Sequence, residues 1–524
     1  MKLRTIVKIA ITSSVVLLCS GFALYSFFRL SVAEGHKDFN LYELVPSTTS
    51  AVFVTDDVLE FVAEVDELTC SKNQQYLHVS KLFSYLKQGL YALSEDTPHG
   101  LSRQMNQMMI GFHEPDNERN QVLYCRLGHG DKELVNRFVR KYISSLYPPK
   151  TFIYKGEEIV IYPMADGDFL ACYLTSDFMA LSFQKKLIEN VIDTYKSGKS
   201  LADDSTFTEI RAPKKSAAVA TVYTRMQGMV GWTEFDMKMK DDFIYFSGIT
   251  HDTDTCFSFI NQLRQQQSVK GFPGEVLPST AFYFSRQEVT DWVSLLSYGN
   301  TQEQSVAART SEVQNRDKEF SRYLIENAGQ DLVACLFQRE DTLQGAAAVL
   351  SLSVADITEA ERMLRALVDA APADEGRRNP RITFCYTVNK AYPIYRLPQT
   401  TLFEQLTSFA EPTLEVYAAF YGGRLLLAPD ADALAHYVRQ LDKGEVLDEA
   451  MAYQAGMDHL SDSYHFMLMA DFDHIFQQSE NHVRFVPDFF LRNAGFFRHF
   501  TLFVQFACAD GMVYPNIVLK YKSE

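Results

Sequence analysis

Hydrophobic and polar positions follow three patterns along this chain. From Ile9 to Phe28 no charged residue occurs, with Lys2, Arg4 and Lys8 ahead of the run and Arg29 closing it. As a helix rising about 1.5 Å per residue, this stretch matches the thickness of a hydrocarbon core. The basic residues before it predict a cytoplasmic amino terminus with everything downstream outside. Residues 1–36 are thus expected to form a cytoplasmic stub and a transmembrane anchor, with 9–28 in contact with the membrane. A cleaved leader is the alternative, because Ser31-Val32-Ala33 places small residues where a signal peptidase reads.

The second pattern is strict alternation. Phe235, Met237 and Met239 alternate with Asp236, Lys238 and Lys240, the period of a half-buried strand. Similar runs predict strands at 50–55, 107–113, 121–127, 151–154, 158–163, 169–175, 178–183, 216–224 and 243–250, and again at 280–285, 331–338, 343–353, 382–389, 392–397, 413–420, 424–428, 463–471, 498–508 and 512–522. The third pattern is helical spacing, as at Leu134, Phe138, Tyr142 and Ile143. It predicts helices near 56–68, 77–94, 131–146, 184–196 and 203–210, then near 287–297, 315–328, 355–370, 431–442 and 446–456. Polar stretches at Gly299–Arg316 and Ala371–Arg381 read as surface loops.

The elements recur in order. Leu44-Val45-Pro46-Ser47-Thr48 before an apolar strand returns as Val276-Leu277-Pro278-Ser279-Thr280, and Tyr195-Lys196-Ser197-Gly198 returns as Leu441-Asp442-Lys443-Gly444. A turn at Asp241-Asp242 returns as Asp510-Gly511. Such ordered self-similarity predicts a duplicated unit. The lobes expected are 37–268 and 269–524, divided around Gln265–Pro273, with an extra aromatic segment at 472–497 in the second. Short turns between successive strands favour antiparallel pairing. The fold class expected is α+β, an N-terminal transmembrane helix followed by two duplicated, mainly antiparallel sheet-plus-helix lobes.

Composition narrows the function classes. With 47% hydrophobic and 22% charged residues the chain is neither a disordered polymer nor a polytopic membrane protein. Its 50 basic against 66 acidic residues leave a net charge of −16, which opposes general binding to nucleic acid. The 8 cysteines include no Cys-x-x-Cys and sit mostly in apolar runs such as Phe384-Cys385-Tyr386, as small buried hydrophobes do.

Searches for chemistry find little. Gly128-His129-Gly130 lacks the third glycine of a nucleotide loop, and no Gly-x-Ser-x-Gly elbow occurs. Ser84-Tyr85-Leu86-Lys87 and Ser182-Phe183-Gln184-Lys185 fit a Ser-x-x-Lys pattern without its usual companions. Among the acids and histidines between Asp458 and His474, only Asp471, Asp473 and His474 lie close enough to share a metal ion, against the plainer reading of a polar strand end. No cofactor is expected. The aromatic segment holds Phe472, Phe476, Phe485, Phe489, Phe490, Phe496 and Phe497. These rings either cap the core or form an apolar patch for a protein or lipid partner, in which case Phe485, Phe489, Phe490, Phe496 and Phe497 are the binding candidates.

An anchor followed by Leu-Val-Pro-Ser-Thr and an apolar strand, repeated mid-chain at Val276–Thr280, resembles uncharacterised single-span bacterial envelope proteins grouped as a domain of unknown function. That resemblance implies no activity or site. The function expected is a non-enzymatic, membrane-anchored envelope protein, binding or scaffolding a partner in the periplasm or its equivalent beyond the cytoplasmic membrane. Hydrolysis of an envelope polymer and carriage of a lipid or small molecule are the alternatives.

Overall fold

The computed structural model describes residues 39–73, 82, 105–138, 147–211, 218–225, 231–250, 263–289, 311–339, 346–370, 381–397, 416–477 and 486–522, less a few single or paired positions inside those ranges. Two compact units account for them, Met1–Val62 with His78–Glu209, and Ala63–Leu77 with Ile210–Glu524.

In the first unit, apolar runs with few polar positions become strands, buried at the centre of the sheet and exposed at β4. The strands are β1 (Ala51–Thr55), β2 (Met108–Phe112), β3 (Gln121–Arg126), β4 (Lys150–Tyr154), β5 (Glu157–Pro163), β6 (Phe169–Leu174) and β7 (Phe178–Ser182), and β7 buries all its residues. They pair antiparallel in the order β1-β2-β3-β7-β6-β5-β4. Helix Lys185–Ser197 buries Leu187, Ile188, Val191 and Ile192, one apolar stripe at helical spacing. It stops at Gly198, whose φ of 64° is the left-handed conformation that closes a helix and that glycine adopts without strain.

The second unit holds β8 (Ala220–Thr224), β9 (Thr233–Lys240), β10 (Phe243–Thr250), β11 (Val269–Lys270), β12 (Ala281–Glu288), β13 (Ala328–Phe337), β14 (Ala347–Val354), β15 (Ile382–Tyr386), β16 (Ala391–Leu397), β17 (Val416–Tyr421), β18 (Arg424–Ala428), β19 (Ser463–Tyr464), β20 (Phe466–Asp471), β21 (Phe500–Ala509) and β22 (Met512–Tyr521). On one side of β12 the order runs β12-β13-β14-β18-β17-β16-β15. On the other it runs β12-β20-β21-β22-β10-β9-β8, while β11 and β19 form a separate ribbon. Helices Ser311–Asn327 and Ile357–Ala370 cover one face through Phe320, Leu324, Leu364 and Leu367, and helix Ala431–Lys443 covers the other through Leu434, Tyr437 and Val438. Each such fully buried side chain contributes about 1.5–3 kcal/mol of transfer free energy.

The order β1-β2-β3-β7-β6-β5-β4 of the first unit reappears as β12-β13-β14-β18-β17-β16-β15 in the second. A smaller symmetry lies inside the second unit. The β9–β10 hairpin turns through Asp241 (φ 51°) and the β21–β22 hairpin through Asp510 (φ 52°). Strands β10 and β22 then pair antiparallel with Ser247 opposite Asn516, so the two hairpins meet about a local two-fold axis.

These observations correct the fold class. The described chain is mostly a large antiparallel sheet with some helices, in place of a transmembrane helix followed by two sheet-plus-helix lobes. No helix among the described residues is long and apolar enough to cross a membrane, and the 9–28 run lies outside those residues. The second compact unit takes Ala63–Leu77 and everything from Ile210 onward, and β8 and β9 go with it through β10, which is hydrogen-bonded to β22. The segment read as a loop at Gly299–Arg316 overlaps helix Ser311–Asn327 from Ser311 onward.

Candidate functional site

Asp471, Asp473 and His474 come together as a helix cap. The Asp471 carboxylate accepts from the backbone N–H groups of Asp473 (3.0 Å) and His474 (3.4 Å), opening the short helix Phe472–Phe476. Lys522 Nζ lies 2.7 Å from Asp471 Oδ1 and the His474 ring 3.5 Å away, while Arg498 holds Asp473 at 3.1 Å. Burial pulls the Asp471 carboxyl upward, but His474 and Lys522 outweigh it and hold the group below the usual range. The acids are thus answered by cations of the chain, and no group of three potential ligands fit for a metal ion occurs among the described residues.

The aromatic segment turns inward where it is described. Phe472 stacks on Phe476 (5.3 Å) and on Phe490 (4.9 Å), and Phe497 meets Phe490 edge-on at 4.8 Å. Phe496 packs on Phe497 and on Phe500 at 5.1 and 4.8 Å. Phe472, Phe497 and Phe500 are buried, and Phe490 and Phe496 half-buried. At these positions the rings form a lid over the sheet end, not an open patch. Phe485 and the side chain of Phe489 lie outside the described residues.

Sequence reasoning missed an ionic row on the sheet of the second unit. Glu288 on β12 stands opposite Asp331 on β13, and Ser353 on β14 stands opposite Arg424 on β18. Arg424 Nη1 reaches Asp331 Oδ2 at 2.9 Å, Ser353 Oγ donates to Asp331 Oδ1 at 2.7 Å, and Arg286 Nη2 lies 3.6 Å from Oδ2. Arg424 Nε also donates to Ser351 Oγ at 2.5 Å. Burial raises the Asp331 carboxyl, yet Arg424, Ser353 and Arg286 together hold it below its ordinary value. Glu288, 5% exposed, is raised by burial, with Arg286 opposing. Two carboxyls pushed apart in this way are the raw material of acid–base chemistry. Both oxygens of Asp331 are already taken within the protein, however, so the row is built as a closed ion network.

The other feature is the outer edge of each seven-strand run. Among the described residues β4 pairs only with β5 and β15 only with β16. The β4–β5 hairpin turns on Lys155 and Gly156, both with positive φ, the two-residue turn that matches strand twist. In it Tyr154 faces Glu157, and by the alternation of antiparallel ladders Thr151 and Ile153 point their backbone groups outward. On β15, Arg396 N–H bonds Arg381 O at 2.8 Å and Thr387 N–H bonds Lys390 O at 3.0 Å. Ile382, Phe384 and Tyr386 therefore face outward with theirs. Ile153 is 71% exposed, Phe384 53%, Tyr386 73% and Val388, in the turn, 94%. Natural edges are usually blunted by charge or proline, whereas β15 reads Ile-Thr-Phe-Cys-Tyr without either. The signal available in the sequence was apolar residues on both faces of a short strand.

Thiol chemistry finds no footing here. The described cysteines form no disulfide, and burial pushes Cys125 and Cys172 up to about 12 and Cys508 to about 11, far from a reactive thiolate.

Residues 105–240 match a protein family of unknown function, DUF3352. The DUF3352 match runs from just before β2 to the end of β9, and so lies between the Pro46 and Pro278 motifs that carried the resemblance to a domain-of-unknown-function group. No curated protein matches the chain. TP0453, solved in its crystal form I, aligns at 9% identity and a TM-score of 0.26, over 43% of this chain and 83% of that one, a likeness too low to carry an argument.

Proposed function

We propose that this protein is a non-enzymatic binding or scaffolding component that works outside the cytoplasmic membrane and engages a protein partner through its free sheet edges. The observation that carries the reading is the pair of strands β4 and β15, edges among the described residues, with outward backbone groups beside exposed Ile153, Phe384 and Tyr386. An edge of this kind offers a partner strand main-chain hydrogen bonds for affinity and side chains for selectivity. The uncharged 9–28 run behind Lys2, Arg4 and Lys8 supports the location. Among the described residues the acidic pair that most resembles a hydrolytic site is Glu288 with Asp331, and Ser353, Arg424 and Arg286 occupy both oxygens of Asp331, so the pair lacks a second available carboxylate.

A photo-reactive phenylalanine analogue placed at Ile153, at Phe384 and at the exposed control position Lys199 tests this in intact cells. Adducts of discrete mass from the first two positions and none from the third support it. Absence of adducts at both edges overturns it, and turnover of an envelope polymer by the purified protein would favour the hydrolase reading in its place.

A further inference from the structure

We infer that β15 is a homotypic docking strand, pairing antiparallel with β15 of a second copy of this chain about a two-fold axis at Phe384. The inference rests on the reading of the free edges as binding surfaces and names the occupant of one of them. Self-complementarity is the first argument. Pairing about Phe384 sets Phe384 against its own copy, Ile382 against Tyr386 on each side, and Arg381 against Thr387, so no like charges meet although the whole chain carries −16. The outward backbone groups are those of Ile382, Phe384 and Tyr386, the residues such a ladder requires. Their side chains share one face, half-buried against the core at Ile382 and exposed at Phe384 and Tyr386, whose rings lie 6.3 Å apart, ready to meet the same pair from the copy.

The fold supplies the second argument. Strands β10 and β22, which close two like hairpins, already join edge to edge about a two-fold axis with Ser247 opposite Asn516. The chain thus satisfies one kind of edge by pairing like with like. The β15 edge presents a further strand suited to the same solution. Strand β4 is less suited to it, because Lys150 opens the strand and Lys155 follows it in the turn, held 2.7 Å from Asp193.

The test uses the full-length chain purified in mild detergent. Sedimentation velocity should show a reversible dimer, and Phe384→Lys, at an exposed position, should raise its dissociation constant at least about tenfold, or about 1.4 kcal/mol. Under mild oxidation Phe384→Cys should give a disulfide-linked dimer, and Ile382→Cys mixed with Tyr386→Cys a cross-linked heteropair, while Ile153→Cys forms no disulfide cross-link. A wild-type chain that is monomeric throughout, a dimer indifferent to Phe384→Lys, or linkage through Ile153→Cys in place of Phe384→Cys overturns the inference. So does a monomer whose binding to phospholipid vesicles is lost in Phe384→Lys, which assigns the edge to lipid. If the wild type is monomeric but photo-adducts at Phe384 carry another protein, this inference fails and the proposed function stands. If neither dimer nor adduct forms, both fail.

Discussion

The two seven-strand runs share a strand order but solve the same position in opposite ways. Where β7 opens against β3, Arg126 stands opposite Phe178, and the phenylalanine is buried among Phe39, Tyr173 and Tyr195 at 4.9–5.4 Å. Arg126 turns away to donate to Phe39 O, and nearby Gln107 donates to an exposed Asp56. Where β18 opens against β14, Ser353 stands opposite Arg424, and the guanidinium is sunk into the row with Asp331 and Arg286. One run carries an aromatic cluster at this position, the other a partly desolvated ion network. The topology accepts either because strand pairing is carried by the backbone, while the ends of the strands are free to be filled by whatever chemistry is locally complete.

That contrast is breakable. The largest effect is expected from Asp331→Asn, which removes the carboxylate shared by Arg424 and Arg286 and should cost about 3–5 kcal/mol in urea unfolding. Replacing Asp331, Arg286 and Arg424 together by apolar residues of similar size should cost less than that single change. A triple variant worse than Asp331→Asn removes the ion-network account. On the aromatic side Phe178→Ala should cost a similar amount, about 3–5 kcal/mol, through the cavity it opens, and should be indifferent to pH between 5 and 8.

The next effect concerns acid. Burial lowers His113, beside β2 in the first unit, from its ordinary value to about 4. A depressed folded pKa means that its contribution is present above about 6.5 and is lost as pH falls toward 4, by up to about 3 kcal/mol. Hydrogen exchange in β2 and β3 should accelerate over that window, and His113→Asn should flatten the dependence. Unchanged acid sensitivity in the variant refutes it. Smaller still is the effect at Gly248 on β10, where an added Cβ would come within 2.7 Å of Phe235 and Pro515. Gly248→Ala should destabilise by about 1–3 kcal/mol in the same urea assay. The smallest is at His474, whose hydrogen bond to Asp471 raises it above the ordinary histidine value, with burial opposing. Its contribution is present below about 6.5 and fades as pH rises through the raised value, which an NMR titration of the ring should show directly.

Much of the local structure was readable along the chain. The strand read at 178–183 is Phe178–Ser182, the alternation of 232–240 is β9, and the helix read at 431–442 is Ala431–Lys443 with its stop at Gly444. Each depends on neighbours within a few residues. What was not readable depends on distant ones. Glu288, Asp331, Ser353 and Arg424 are spread over more than a hundred residues, and only the strand order brings them together. Asp471 looked like a ligand because carboxylate and imidazole crowd the sequence there; Lys522, fifty-one residues on, is what occupies it. The free edges were hidden for a related reason, since periodicity states which face of a strand is buried but not whether a neighbour lies beside it.

The pairing of β10 with β22 has a consequence for biosynthesis. Phe243 emerges from the ribosome well before Lys520, its eventual partner, roughly 280 residues later. Until then the nascent chain carries a finished hairpin with one flank unsealed, sticky toward any other extended segment. A message truncated before the codon for Met512 would leave that flank permanently bare, and such a product should accumulate with chaperones or in inclusion bodies.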